Sequence, residues 1–277
     1  MPTITDKIQA DFAAALRREE RSEATITKYM HDLRTFAAFL GEREISKASV
    51  IAYKEHLSAH GYAVTSVNSM LAAVNKFLTY SGNSTCKVRF LRVQQRAFEP
   101  ARKELTRAEY ERLLSAAAGD PRLALLLQTI CATGIRVSEL ACFTVEAVRK
   151  GEITVQCKNK IRSILVPRKL RKKLLSYAQS KNIDSGIIFR TRSGKALHRT
   201  NIWAAMKHLC HSAKVSPDKV FPHNLRKLFA RTYYRAEKDI AKLADLLGHS
   251  SINTTRIYIR ETGEEHLHQI ERLGLVP

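Results

Sequence analysis

No run of about 20 apolar residues occurs anywhere in the 277-residue chain, which argues against a helix spanning a bilayer. Cysteine is scarce: Cys86, Cys131, Cys142, Cys157 and Cys210 are odd in number, scattered and without a C-x-x-C pair. Such a set does not make a disulfide frame or a structural zinc site, and fits reduced thiols in a cytoplasmic protein. His208, Cys210 and His211 gather in KHLCHS, but adjacent helix residues point to different faces and no second ligand pair follows, so no metal is expected there. A P-loop lysine motif and a carboxylate triad for Mg²⁺ are also missing. Their absence accords with chemistry that needs no ATP, metal or other cofactor. The first residues, MPTITDKIQADF, carry acids and no continuous apolar stretch, unlike a secretory signal. Acids are in short supply throughout, at 26 Asp+Glu against 47 Lys+Arg, for a net charge of +21. An excess of that size favours a polyanionic partner, nucleic acid before a membrane surface.

The length suggests two domains. Ile26, Tyr29, Met30, Leu33, Phe36, Ala37 and Leu40 recur at intervals of three and four, as do Val67, Met70, Leu71, Val74, Phe77 and Leu78. Each set is the apolar stripe of a helix. Two more helices are expected near 5–18 and 46–59, with Gly41, Gly61 and Gly82 as breaks, making a helical domain over 1–86. The pattern lapses from Lys87 to Arg107, where seven Lys/Arg and two Glu surround Pro100. We read 87–104 as an extended basic linker crossing DNA, with Lys87, Arg89, Arg92 and Arg96 as backbone contacts. A second domain, 105–277, opens on a capping box at Thr106 and Glu109. Helices are expected through 122–132 and 136–143, then strands Glu152–Cys157 and Ser163–Val166 joined by a turn over Lys158–Arg162. Further helices follow near 168–180, 199–213, 223–236, 239–247 and 251–260, with a tail over 261–277. The fold class is mainly α with one small antiparallel hairpin.

The chemistry lies in the second domain. Arg136 sits in ATGIRVSEL, Lys158 and Lys160 in CKNKIRSILVP, His223 and Arg226 in HNLR, His249 in LGHSS and Tyr258 in TTRIYIR. Two arginines, a lysine and two histidines upstream of a tyrosine suit attack on a phosphodiester without metal. Cations balance the phosphate charge, Lys and His move protons, and a phenol is the nucleophile. A guanidinium grips two phosphate oxygens at once, which Lys does not copy. His223 and Arg226, three apart after Pro222, share one face at a helix start, where backbone N–H groups favour an anion. Residues 149–173 hold ten Lys/Arg and one acid, so phosphate steering by Lys160 and Arg162 is expected as well.

The T-G-x-R-x-S-E-L, H-x-x-R and L-G-H boxes, with a tyrosine nine residues after the last His, resemble those of tyrosine recombinases of the phage-integrase family. The resemblance runs from about residue 10 to the end, in the simple two-domain Xer-like form. It implies an N-terminal helical (SAM-like) core-binding domain and a mixed α/β catalytic domain that clamp duplex DNA. It implies a 3′-phosphotyrosyl intermediate on Tyr258, with Arg136, Arg226 and His249 on the phosphate and His223 managing the phenol proton. Lys158, the first lysine after the strand, is by resemblance the general acid, with Lys160 as the alternative. Glu139 supports the site as the family's acidic neighbour. Four protomers acting on two core sites of double-stranded DNA are implied too. The tail, with Leu267, Ile270, Leu273 and Leu275 in helix-like spacing, is expected to dock on a neighbouring protomer, with packing in cis as the alternative. No separate arm-binding module is expected ahead of residue 1. The biological outcome, whether integration, excision, inversion or dimer resolution, stays open. Two rival readings are a type IB topoisomerase and a catalytically silent DNA-binding protein of the same fold. Chain length and the L-G-H box argue against the first, the intact set of six residues against the second.

Overall fold

In the computed structural model, which describes residues 4–92, 103–157, 160–260 and 263–275, the chain divides into two compact units, Met1–Gln95 and Arg96–Pro277. The first is a four-helix unit: α1 (Asp6–Arg18), α2 (Glu23–Leu40), α3 (Lys47–Ala59) and α4 (Val64–Tyr80). Thr5, Ser22 and Ser46 cap the first three by accepting a backbone N–H of the first turn, satisfying donors that no helical carbonyl reaches. The stripes converge as their spacing demands. Ile26, Leu33, Phe36, Val67, Leu71, Val74, Phe77 and Leu78 are buried together with Phe12, Leu16, Val50 and Leu57.

The segment expected to begin the linker starts instead as part of this unit. Asn75 on α4 donates to the Val88 carbonyl (2.9 Å) and accepts the Val88 N–H (3.1 Å). Seven residues earlier, Asn68 does the same to Leu91, at 2.8 Å both ways. Two amide side chains on one helix face thus hold an extended strand of backbone, and Val88 is buried beneath it. Lys87, Arg89 and Arg92 stay exposed along this strap. Arg96 lies outside the described residues.

The second unit comprises α5 (Arg107–Ala116), α6 (Pro121–Thr133), α7 (Val145–Lys150), β1 (Glu152–Cys157), β2 (Lys160–Leu165), α8 (Arg168–Ser180), α9 (Arg199–Ala213), α10 (Pro222–Glu237), α11 (Ile240–Leu247), α12 (Ile252–Tyr258) and α13 (Gly263–Glu271). Thr106 and Glu109 form the expected capping box. The helix expected at 136–143 is a 3-10 turn over Val137–Cys142, and α7 is a short helix that the sequence pattern did not suggest. The two strands pair antiparallel, Cys157 opposite Lys160 and Val155 opposite Arg162. The turn is therefore shorter than expected, and Arg162 belongs to the ladder. Strand alternation then puts Arg162 on the face of Ile164 and Val166, both buried, while Ile161 and Leu165 face out.

α10 packs along α6 over the main core, which includes Leu126, Ile130, Ile135, Phe143, Ile153, Leu174, Met206 and Leu225. A smaller core gathers Ala230, Leu243 and Leu247 with Phe229, Tyr233, Tyr234 and Tyr258, so α10, α11 and α12 close on one another. The tail helix α13 is held within its own chain: Glu265 pairs with Arg231 (3.0 Å) and with Arg235, and Arg231 also pairs with Glu104. Leu267, Ile270, Leu273 and Leu275 remain exposed. Among the described residues no helix is long and apolar enough to cross a membrane.

Candidate active site

Three chain reversals bring the sequence-distant boxes together. The first follows α6, where Gly134 takes the left-handed conformation (φ 63°) and its N–H bonds to Ile130 O. A side chain here is excluded twice over. The conformation disfavours L-residues, and a Cβ would lie 2.4 Å from Cδ1 of Phe229 and 3.0 Å from Cδ2 of Leu247. The Thr-Gly-x-Arg pattern is thus a close approach of the α6 end to α10 and α11, and it delivers Arg136 at the following turn. Glu139, three residues on and buried, reaches back to the Arg136 backbone N–H (2.7 Å) and its Nη1 (3.0 Å). The Arg136 Nη2 donates to Gly248 O at 3.3 Å.

The second reversal is the start of α10, with Pro222 in its first turn. His223 is exposed there, whereas Arg226, one turn on, is only 2 % exposed. Arg226 donates from Nη1 to Gly134 O, and from Nη2 to Leu247 O (2.6 Å) and to His249 Nε2 (3.1 Å). Burial, followed by the charge of Arg136, lowers its pKa to about 10, so it stays a cation at neutral pH.

The third reversal is the end of α11. Gly248 is left-handed (φ 63°), its N–H returns to Asp245 O, and His249 follows. His249 Nδ1 meets the fully buried Thr255 hydroxyl at 2.9 Å. A guanidinium only donates, so Nε2 accepts from Arg226 and Nδ1 carries the proton toward Thr255. Burial, then Arg226, Arg136 and Arg162, lowers the pKa of His249 to about 4, leaving a neutral ring at pH 7.

Tyr258, the last residue of α12, closes the group. Its hydroxyl is 3.5 Å from His223 Nδ1, and its ring centroid is 4.8 Å from each of the His223 and His249 rings. Arg226 Cζ lies 5.7 Å from the same ring. The phenol, two imidazoles and two guanidiniums selected from sequence are therefore one cluster. Tyr233 and Tyr234 pack beside it in the small core.

Arg162 is placed differently from the phosphate contact expected. Its side chain is 13 % exposed, pairs with Glu139 Oε2 at 2.6 Å through Nη2 and donates from Nη1 to Leu246 O. Lys158 lies outside the described residues, and β2 begins at Lys160. Thr255 is a residue that sequence reasoning missed; a hydroxyl six residues after the LGH histidine was its only trace. Arg136 and Arg162 share one carboxylate, that of Glu139, while Arg226 bonds to carbonyls and to His249, so three guanidiniums face a single acid in the cluster. That surplus charge in a partly desolvated site favours an anion beside the phenol.

Residues 103–265 match the Phage integrase family, and residues 10–81 match the phage integrase N-terminal SAM-like domain. Tyrosine recombinase XerA of Pyrococcus furiosus is 29% identical over 99% of this chain and 96% of its own length. Tyrosine recombinase XerD of Vibrio cholerae is 30% identical over 86% of this chain and 85% of its own. A lambda integrase tetramer bound to a Holliday junction shares the fold, with a TM-score of 0.74 at 17% identity over 93% of this chain and 77% of that one.

Proposed function

The chain belongs to the phage integrase family and is a tyrosine-type site-specific recombinase acting on DNA, and from that premise we propose how its residues divide the reaction. Tyr258 Oη attacks the scissile phosphorus, forming a 3′-phosphotyrosyl bond as the bond to the 5′-oxygen breaks. His223 takes the phenol proton, and Lys158 gives a proton to the leaving oxygen, which departs as a hydroxyl. Arg136, Arg226 and His249 stabilise the charge that accumulates on the non-bridging oxygens, in a site where burial strengthens every such interaction. The phosphotyrosyl bond conserves the energy of the broken one. A 5′-hydroxyl from a partner strand then reverses the step, which completes strand exchange without ATP or metal.

The convergence on the phenol carries this reading: His223 and Arg226 from the H-x-x-R box and His249 from the L-G-H box all lie against Tyr258. His249 now accepts from Arg226. An anion between them offsets the arginines that depress its basicity, so phosphate binding favours the protonated, donating ring.

Double-stranded core sites are the proposed substrate, followed along the backbone by Lys87, Arg89 and Arg92, with Arg96 and Lys160. Four protomers on two sites are the proposed assembly; a lambda integrase of similar fold is a tetramer bound to a Holliday junction. The exposed Leu267, Ile270 and Leu273 of the tail supply an apolar surface for a neighbouring copy.

A 5′-bridging phosphorothiolate tests the acid, because a thiolate leaves without a proton. Cleavage by Lys158→Ala should be restored on that substrate, while Arg136→Ala and Arg226→Ala, which lose charge stabilisation, stay slow. Rescue of Lys160→Ala in place of Lys158→Ala moves the acid two residues along the hairpin.

A further inference from the structure

We propose that Arg162 is a positioning residue of the recombination site, acting through Glu139 and the end of α11, and does not contact DNA. The inference rests on the functional reading above. Its starting point is the strand alternation that turns Arg162 inward beside Ile164. One fork then spans two elements: Nη2 holds Glu139 Oε2 at 2.6 Å, and Nη1 donates to Leu246 O. Glu139 is the residue that fixes Arg136, at both its backbone N–H and its guanidinium. Leu246 lies three residues before His249 and two before Gly248, whose carbonyl also receives Arg136. Arg162 thus joins the loop that presents Arg136 to the loop that presents His249.

The loop is shaped around this side chain. A Cβ on Gly248 would lie 2.6 Å from Arg162 Cδ and 2.9 Å from its Nε. Among the described residues that Nε is buried without a hydrogen-bond partner, and both terminal nitrogens are engaged, so the guanidinium offers no free fork to a phosphate. Electrostatics supplies a second reason for its presence. Alone with Arg136, Glu139 would neutralise the cation meant for the substrate. A second guanidinium on the same carboxylate leaves Arg136 more of its charge. Lysine has one ammonium in place of a planar fork and does not reproduce both bonds at once.

The test is a double-mutant cycle on single-turnover cleavage of a nicked suicide duplex by the full chain, comparing wild type, Arg162→Gln, Glu139→Gln and the double variant. Misplacing a charge-stabilising group by about 1 Å slows chemistry by roughly 100-fold, and a loss of that order is expected for Arg162→Gln. In the Glu139→Gln background the same change should cost at least about fivefold less, because its effect runs through the missing carboxylate. Arg162→Lys should recover only part of the rate. The slope of log K against log salt for duplex binding should match wild type.

Additive losses overturn the inference. So does a slope shallower by about 1, the mark of a lost phosphate contact, with cleavage of bound DNA intact. A loss that vanishes when the assay is cooled well below each variant's melting midpoint makes Arg162 merely structural, and also overturns it. If wild type itself fails to cleave, the functional reading falls and the inference with it. Cleavage by wild type with an additive cycle removes the inference alone.

Discussion

Replacing Gly134 by alanine isolates the close approach on which the first arginine depends. Gly134 and Gly151 end α6 and α7 in the same left-handed conformation, with φ of 63° and 82°. Alanine at either position incurs the cost of that conformation, roughly 1–2 kcal/mol. Their surroundings differ. The nearest atom to a Cβ at Gly151 is the mobile tip of Arg171, at 3.2 Å, whereas a Cβ at Gly134 would enter the Phe229 ring at 2.4 and 2.6 Å. Overpacking of this kind adds about 1–3 kcal/mol. At about 2–4 °C per kcal/mol for a unit of this size, Gly134→Ala should melt roughly 2–12 °C below Gly151→Ala. The chain has one tryptophan, Trp203 on α9, so fluorescence excited selectively at tryptophan reports the second unit alone during heating. Gly134→Ala should also lose cleavage activity out of proportion to its stability, because Gly134 O accepts from Arg226. Equal melting midpoints for the two variants would refute the packing argument.

Asn75→Ala removes two hydrogen bonds from the Val88 backbone, worth about 1–3 kcal/mol together, and hydrogen exchange at the Val88 amide should accelerate while the α2 core amides keep their protection; unchanged exchange would sink the clasp. The pH dependence of stability should carry the signature of His249. Its pKa is lowered from 6.5 to about 4, so as pH falls the unfolded chain takes the proton first. The contribution, about 1–3 kcal/mol, is complete above pH 6.5 and lost progressively toward pH 4. Denaturant titrations from pH 7 to 4 should therefore show a flatter decline for His249→Gln, and parallel curves would contradict the neutral, half-buried ring.

Helical periodicity and the box motifs were enough to read the stripes of α2 and α4, and the limits expected for α8 and α9 coincide with those observed. What escaped sequence reasoning depends on partners far along the chain. VEAVRK is too short for a repeat to show, so α7 passed unseen. The run after Arg136 reads as a helix, yet Glu139 folds back on the Arg136 N–H and tightens it to a 3-10 turn. Starting the second strand at Ser163 left Arg162 in a turn; carried back to Lys160, the alternation Arg162, Ile164, Val166 shows that it faces inward. The Asn68 and Asn75 clasp was illegible because its partners are backbone atoms of Leu91 and Val88. The pairing of Glu104 and Glu265 through Arg231 spans more than half the chain, and no local pattern announces it. The cluster of Arg136, His223, Arg226, His249 and Tyr258 was easier to anticipate, since the boxes carry particular residue types in a fixed order, whatever the distances between them.

The most direct measurement is to trap the covalent intermediate on a nicked suicide duplex in EDTA, digest the complex and map the DNA-linked peptide by mass spectrometry. One adduct is expected, on Tyr258 among the nine tyrosines, absent from Tyr258→Phe and retained in Tyr233→Phe and Tyr234→Phe. An adduct on any other residue, or trapping that requires added Mg²⁺, would contradict the assignment of the nucleophile and its metal-free site.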